Sequence, residues 1–256
     1  MTANEELEWI AAFQARVDAG AATESRDWRF GVALVSPEMP KVWDANYLRV
    51  DALGGAGAEI VAAEATEIAR DAGMAHVSIV VPDESDAAGL REGLEGLGFK
   101  ATPLLALALR RRPEPPAVAI TQVSFDDVAP SRRELTLEFF PGDEELADQL
   151  DMLDGRLEAT IGGRWFAVRD SGDIVARAWL LQDGQVAQVE DVATTPAARG
   201  RGLGRAVVSA AALAALEAGN DLVFIVADGG GSVPEMYRKI GFEPLGVTTR
   251  FVRSLV

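Results

Sequence analysis

The chain has 256 residues, of which 48% are hydrophobic and none is cysteine, with 40 acidic residues against 24 Lys and Arg and a formal net charge of −16. That composition supports real cores rather than disorder, and the length suits one large domain or two ordinary ones. The acidic balance argues against nucleic acid, serves solubility and is compatible with a cationic partner such as an amine, while the missing thiols exclude disulfides, cysteine nucleophiles and cysteine-ligated metals.

The first ten residues, MTANEELEWI, are acidic and lack the basic start and apolar run of a secretory signal. The longest apolar stretch, Ala206 to Leu216, is too short and too alanine-rich to span a bilayer. A cytoplasmic protein without a membrane partner is therefore expected. The single histidine, His76, lies in the run Ala75-His76-Val77-Ser78-Ile79-Val80-Val81 and reads as a structural strand residue. With one histidine, a catalytic triad or a zinc site is not expected, and no metal is assigned.

In chain order, His76 to Val81 reads as a strand, Ala87 to Leu97 as a helix stopped by Gly98-Phe99, and Leu104 to Leu109 as a second strand. The segment Arg110-Arg111-Arg112-Pro113-Glu114-Pro115-Pro116 holds three prolines in four residues, which blocks helix and sheet alike. It marks the expected junction between a domain at 1–112 and a domain at 117–256. Ala117 to Val123 then reads as a strand, and Pro130 to Phe140 and Asp143 to Thr160 as helices. Trp165 to Arg169, Ile174 to Leu181 and Val186 to Thr194 read as strands, with turn signals at Ser171-Gly172-Asp173 and Asp183-Gly184. Gly204 to Ala218 is helical by composition and ends at Gly219-Asn220. Leu222 to Ala227 is a buried strand, Ser232 to Ile240 a helix closed by Gly241, and Pro244 to Val252 a last strand. The class is α/β with mixed sheets flanked by helices.

The halves resemble each other. Asp71-Ala72-Gly73, a strand, a helix and Gly98-Phe99 run parallel to Glu217-Ala218-Gly219, a strand, a helix and Gly241-Phe242. The spacing suggests an internal duplication, although generic α/β architecture produces similar punctuation.

The chemically informative segment is Val192-Ala193-Thr194-Thr195-Pro196-Ala197-Ala198-Arg199-Gly200-Arg201-Gly202-Leu203-Gly204-Arg205. A strand leads through a short turn into a glycine-rich loop and then a long helix. Glycines let the backbone approach a ligand, and the unpaired N–H groups of the loop and first helical turn sit at the positive end of a helix dipole. Such a place suits a pyrophosphate, with Arg199, Arg201 and Arg205 adding charge. A Rossmann loop fits poorly, because residues including Pro196 intervene after the strand and the glycines are spaced Gly-x-Gly-x-Gly.

Arg199, Gly202 and Gly204 meet the pattern Arg/Gln-x-x-Gly-x-Gly/Ala, and with the preceding strand, Pro196 and Tyr237-Arg238-Lys239-Ile240-Gly241-Phe242 this half resembles the GNAT acetyltransferase superfamily. The resemblance implies a tandem arrangement of two GNAT-like domains, the first degenerate. It implies an acetyl-coenzyme A (acetyl-CoA)-dependent N-acetyltransferase acting on an amine of a small molecule or peptide, as a monomer or homodimer. It implies further that Val192, Ala193 and Thr194 bind the pantetheine and polarise the thioester, that residues 199–205 (with Gly200 and Leu203) hold the diphosphate, and that Tyr237 is the general acid. Glu190 is then the candidate base. Strand alternation places Glu190 on the face of Val192 and Thr194, with Asp191 opposite and a candidate substrate contact. Glu138, Phe139 and Phe140 are expected to line the acceptor side. A non-catalytic acyl-CoA sensor is the alternative.

Aligning Gly73 with Gly219 carries Arg199–Gly204 onto Leu53-Gly54-Gly55-Ala56-Gly57-Ala58, and aligning the Gly-Phe pairs carries Tyr237 onto Leu94. Neither the arginines nor the phenol survive, so the first half is expected not to bind acetyl-CoA productively.

Overall fold

The structure is a computed structural model describing residues 1–231 and 233–255. The first half runs α1 (Ala3–Ala21), β1 (Glu24–Trp28), β2 (Gly31–Val35), β3 (Tyr47–Val50), α2 (Ala58–Asp71), β4 (His76–Val81), α3 (Glu84–Gly96) and β5 (Lys100–Leu109). The second runs β6 (Thr121–Val123), α4 (Phe125–Phe139), α5 (Glu144–Thr160), β7 (Arg164–Asp170), β8 (Asp173–Asp183) and β9 (Val186–Thr194). It continues through α6 (Leu203–Glu217), β10 (Leu222–Asp228), α7 (Val233–Ile240) and β11 (Phe242–Ser254).

Local chemistry sets most boundaries. Thr2 and Glu5 form a capping box at the start of α1, and Ser124 and Asp127 form one at α4. That second box starts α4 at Phe125, ahead of the expected Pro130, which is accommodated inside the helix. The strand expected over Ala117 to Val123 is reduced to Thr121–Val123. The helix expected from Ser232 begins, among the described residues, at Val233; Ser232 itself lies outside them. No helix among the described residues is long and apolar enough to cross a membrane.

Among the described residues, eleven strands form one sheet, in the order β1-β2-β3-β4-β11-β5-β10-β9-β8-β7-β6. The halves repeat a pattern. In the first, β3 lies parallel to β4 with α2 as the crossover; in the second, β9 lies parallel to β10 with α6 as the crossover. The closing strand of each half then leaves its own half. β5 lies antiparallel to β10 and β11, and β11 lies antiparallel to β4 and β5. The sheet therefore continues across the proline-rich junction instead of dividing there. Gly241 seals the crossing: its carbonyl accepts from the N–H of Arg110 at 2.8 Å, and a Cβ there would lie 2.5 Å from the Arg111 carbonyl oxygen.

Cores form on both faces. α6 and α7 cover one face of the second half with Val207, Val208, Ala211, Tyr237 and Ile240, against Ala187, Val189, Val223 and Ile225. α2 and α3 cover β4 and β11 through Ala65, Leu90 and Leu94, against Val77, Ile79 and Phe251. On the opposite face α1, from the first half, packs into the second. Phe13 meets Phe224 edge to face at 5.5 Å in a core shared with the stacked pair Trp165 and Trp179, whose rings are 4.7 Å apart. His76 is buried in β4 with Nε2 3.0 Å from the Asn46 carbonyl oxygen, and burial lowers its pKa.

Two measurements check this architecture. Residues 1–112 expressed alone leave β4 and β5 without their neighbours β11 and β10. The fragment should show no cooperative thermal transition by circular dichroism until residues 113–256 are added. The second concerns Asp18 on α1, whose carboxyl burial raises to about 6 against the opposing pull of Tyr47 and Arg49. Between the usual carboxylate value of ~4 and about 6 the native state binds the extra proton, so this group's contribution falls as pH rises through that window. Asp18→Asn should gain stability relative to wild type from pH 4 to 7 in urea titrations; a pH-independent difference would contradict the assignment.

Candidate active site

The site begins where two parallel strands part. β9 and β10 are in register from Val186 with Leu222 to Val189 with Ile225, and no pairing joins them beyond. β9 nevertheless continues to Thr194 and β10 to Asp228. Along the gap, the backbone of Val192, Ala193 and Thr194 has no strand partner on the β10 side, while Ala193 and Thr194 still pair with β8.

A bulge accompanies the parting. Trp179 opposes Glu190 and Arg177 opposes Ala193, so β9 holds an extra residue there, and Asp191 adopts φ +44°. An L-residue in that region is strained, and ion pairs hold it. Arg177 Nε donates to Asp191 Oδ2 at 2.7 Å, and Arg132 Nη1 lies 3.1 Å from the same oxygen. Arg132 also pairs with Asp154, whose carboxyl burial raises to about 7 although Arg132 pulls it down.

The bulge corrects the expected alternation. Glu190 stays with Gln188, accepting a hydrogen bond from its side-chain amide, while Gln188 meets Gln14 of α1. Val192 instead packs into the core of α6 with Val189. The Thr194 hydroxyl likewise faces α6, lying 3.3 Å from where a Gly204 Cβ would stand. Glu190 therefore sits on the face opposite Val192 and Thr194. Asp191 is engaged with two arginines.

Burial raises the Glu190 carboxyl to about 7; the Asp191 backbone opposes this, as does Arg132, while the charges of Asp44 and Asp191 add to it. Tyr237, buried on α7, has its phenol pushed above the usual tyrosine value by burial and then by the charge of Glu190.

The glycine-rich loop follows β9 through a 3-10 turn at Pro196–Ala198. Gly200 and Gly202 take φ +75° and +76°, and nothing lies within 4 Å of a Cβ placed on either. Gly202 caps α6 without a side-chain hydrogen bond, which leaves the N–H groups of its first turn available. Arg199 and Arg205 line the groove beside this turn, of ≈360 Å³. Arg199 is tethered through Nε to the Thr194 carbonyl at 3.2 Å. Arg201 pairs with Asp170 at 3.0 Å and does not line that groove. The donor set fits a diphosphate.

A second groove of ≈690 Å³ opens through the gap between β9 and β10 past Glu190, Asp191 and Asp228. Its far wall is Lys100 to Pro103, from β5 of the first half. Val192, Val233 and Tyr237 border both grooves. Glu138, Phe139 and Phe140 are exposed at the end of α4, and neither groove is lined by them. In the first half the loop before α2 keeps Gly54 and Gly55 at positive φ, but it has no arginine, and Leu94 is fully buried.

A sequence model of the acetyltransferase (GNAT) family matches residues 130–242. The second half of this chain is a GNAT domain. No curated protein matches the chain. Among solved structures, a GCN5-related N-acetyltransferase from Kribbella flavida is 20% identical with a TM-score of 0.61, over 94% of each chain. A functionally unknown conserved protein from Staphylococcus epidermidis ATCC 12228 is 15% identical with a TM-score of 0.64, over 90% of this chain and 93% of that one. A tandem GNAT protein from the clavulanic acid biosynthesis pathway is 17% identical with a TM-score of 0.53, over 80% of this chain and 74% of that one. At these identities the likeness is one of fold, and it extends over both halves.

Gly202→Ala tests the geometry of the GNAT loop directly. Its left-handed backbone should cost about 1–2 kcal/mol once a Cβ is present, read as a lower denaturation midpoint. Unchanged stability would mean the loop adopts another conformation.

Proposed function

We propose that the protein is an acetyl-CoA-dependent N-acetyltransferase that transfers an acetyl group to a primary amine of a small molecule or peptide by direct attack on the thioester. The observation that carries this reading is the meeting of two grooves at Val192 and Tyr237. One leads to the uncapped start of α6, and the other passes Glu190.

In this reading Arg199, Arg205 and the N–H groups of the first turn of α6 hold the diphosphate, and the free edge of β9 binds the pantetheine arm. Acetyl-CoA supplies the activated acyl group. Glu190 removes the proton that the ammonium form of the acceptor must lose. The amine nitrogen bonds to the carbonyl carbon, the carbon–sulfur bond breaks, and Tyr237 protonates the departing thiolate; the second proton that the nitrogen sheds on becoming an amide passes through solvent and restores the phenol. The two groups are coupled in a useful order. The charge of Glu190 disfavours tyrosinate, so a Glu190 that has accepted the amine proton no longer opposes proton donation by Tyr237. The first half, without arginines in its equivalent loop and with Leu94 in the tyrosine's place, takes no acetyl-CoA of its own.

Incubation with acetyl-CoA and a panel of amines and peptides should release free thiol. Tyr237→Phe should lower kcat by about 10²-fold or more. Because Glu190 must be ionised to act, kcat/KM should rise with pH to a plateau, with its midpoint near the raised value of about 7, and Glu190→Gln should remove that limb. No thiol release with any acceptor, together with no heat on titration with acetyl-CoA, would overturn the assignment.

A further inference from the structure

Glu190 is held from the other half of the molecule. Gln188, two residues upstream on β9, is 4% exposed, so its amide must find its partners inside the protein. It has two. Its Nε2 donates to Glu190 Oε2, and its Oε1 accepts from Gln14 Nε2 at 2.6 Å. Gln14 belongs to α1, 174 positions away in sequence. That helix is fixed by the capping box at Thr2, by Phe13 against Phe224, and by an ion pair of Arg16 with Asp183.

The direction of this chain matters. An amide can present either its N–H or its oxygen to a neighbour, and only the N–H favours a carboxylate. By donating to Gln188 Oε1, Gln14 leaves Gln188 its N–H for Glu190. The charged and titratable groups acting on Glu190 from the surrounding elements are Asp191 on its own strand, Asp44 from the turn before β3, Arg132 from α4 and Tyr237 from α7. Two of these are acidic and Arg132 already serves Asp154 and Asp191. Among the described residues, the one side chain that hydrogen-bonds Glu190 is Gln188.

We infer that Gln188 and Gln14 are positioning residues for the base: α1 of the first half orients the Gln188 amide so that it donates to Glu190, and the half without a cofactor loop thereby takes part in catalysis. This rests on Glu190 acting as the base. Removing Gln188 withdraws the donor from the carboxylate form, and removing Gln14 releases the Gln188 amide from the orientation in which it donates; either change moves the working range of the base to higher pH.

The experiment is the pH dependence of kcat/KM of the full chain carrying Gln188→Leu, Gln14→Leu, Gln14→Glu or Glu190→Gln, with acetyl-CoA affinity measured alongside. Gln188→Leu and Gln14→Leu should shift the rising limb upward by about half a unit or more, with acetyl-CoA affinity unchanged. Gln14→Glu keeps the side chain's shape if leucine is not tolerated. Its carboxylate accepts from Gln188 Nε2 and turns the Gln188 oxygen toward Glu190, so it should shift the limb furthest. A purely structural role would lower the amplitude or the melting temperature and leave the midpoint in place. That result, with Glu190→Gln still removing the limb, overturns the positioning role and leaves the base assignment standing. A limb that survives in Glu190→Gln overturns both.

Discussion

Hydrogen bonding between β9 and β10 stops after Val189 and Ile225, and the candidate site depends on that stop. A continuous ladder would consume the backbone groups of Val192 to Thr194 and close the gap through which the second groove passes. The parting is enforced locally. The bulge opposite Ala178 turns β9 away, and the left-handed backbone of Asp191 is held by Arg177 and Arg132. Sheet pairing and ionic attachment thus act in opposition over a few residues, and the result is an opening bordered by Glu190 on one face and Tyr237 on the other.

The exchange of closing strands gives that opening its second wall. β5 stands beside β10, so its first residues, Lys100 to Pro103, border the groove although they precede the GNAT domain in sequence. α1 follows the same logic, packing Phe13 into the core of the second half and bringing Gln14 to Gln188. The first half lacks arginines in the loop before α2 and has no tyrosine at the place of Tyr237, yet it supplies a strand to the second groove and, from α1, the Gln14 side chain that hydrogen-bonds Gln188 beside Glu190.

Legibility in the sequence followed the range of the interactions. The glycine loop was readable because residues adjacent in sequence produce it. A strand, Pro196, two glycines that take positive φ and an uncapped helix start form one contiguous signal, and the structure arranges them accordingly. Arg201 is the exception within it, because its partner Asp170 comes from the hairpin of β7 and β8. The face of Glu190 was misread because alternation assumes an unbroken strand, and one bulge reverses it. Phe139 and Phe140 carried no signal to separate an exposed helix end from a pocket wall. Lys100 to Pro103, Gln14 and the arginine pair on Asp191 were invisible, since nothing in their own segments marks a partner on another element.

The sequence by itself determined the composition of the halves, their repeated order of strands and helices, and the glycine-rich turn that leads into α6 near Gly202, all of which follow from local backbone preference and hydrophobic periodicity. Only the tertiary structure decided that the last strand of each half belongs beside the other half's strands, and that Glu190 is reached, through Gln188, from a helix at the opposite end of the chain. Strand partners are chosen by edges that meet in space, and a chain read residue by residue carries no record of which edge lies free.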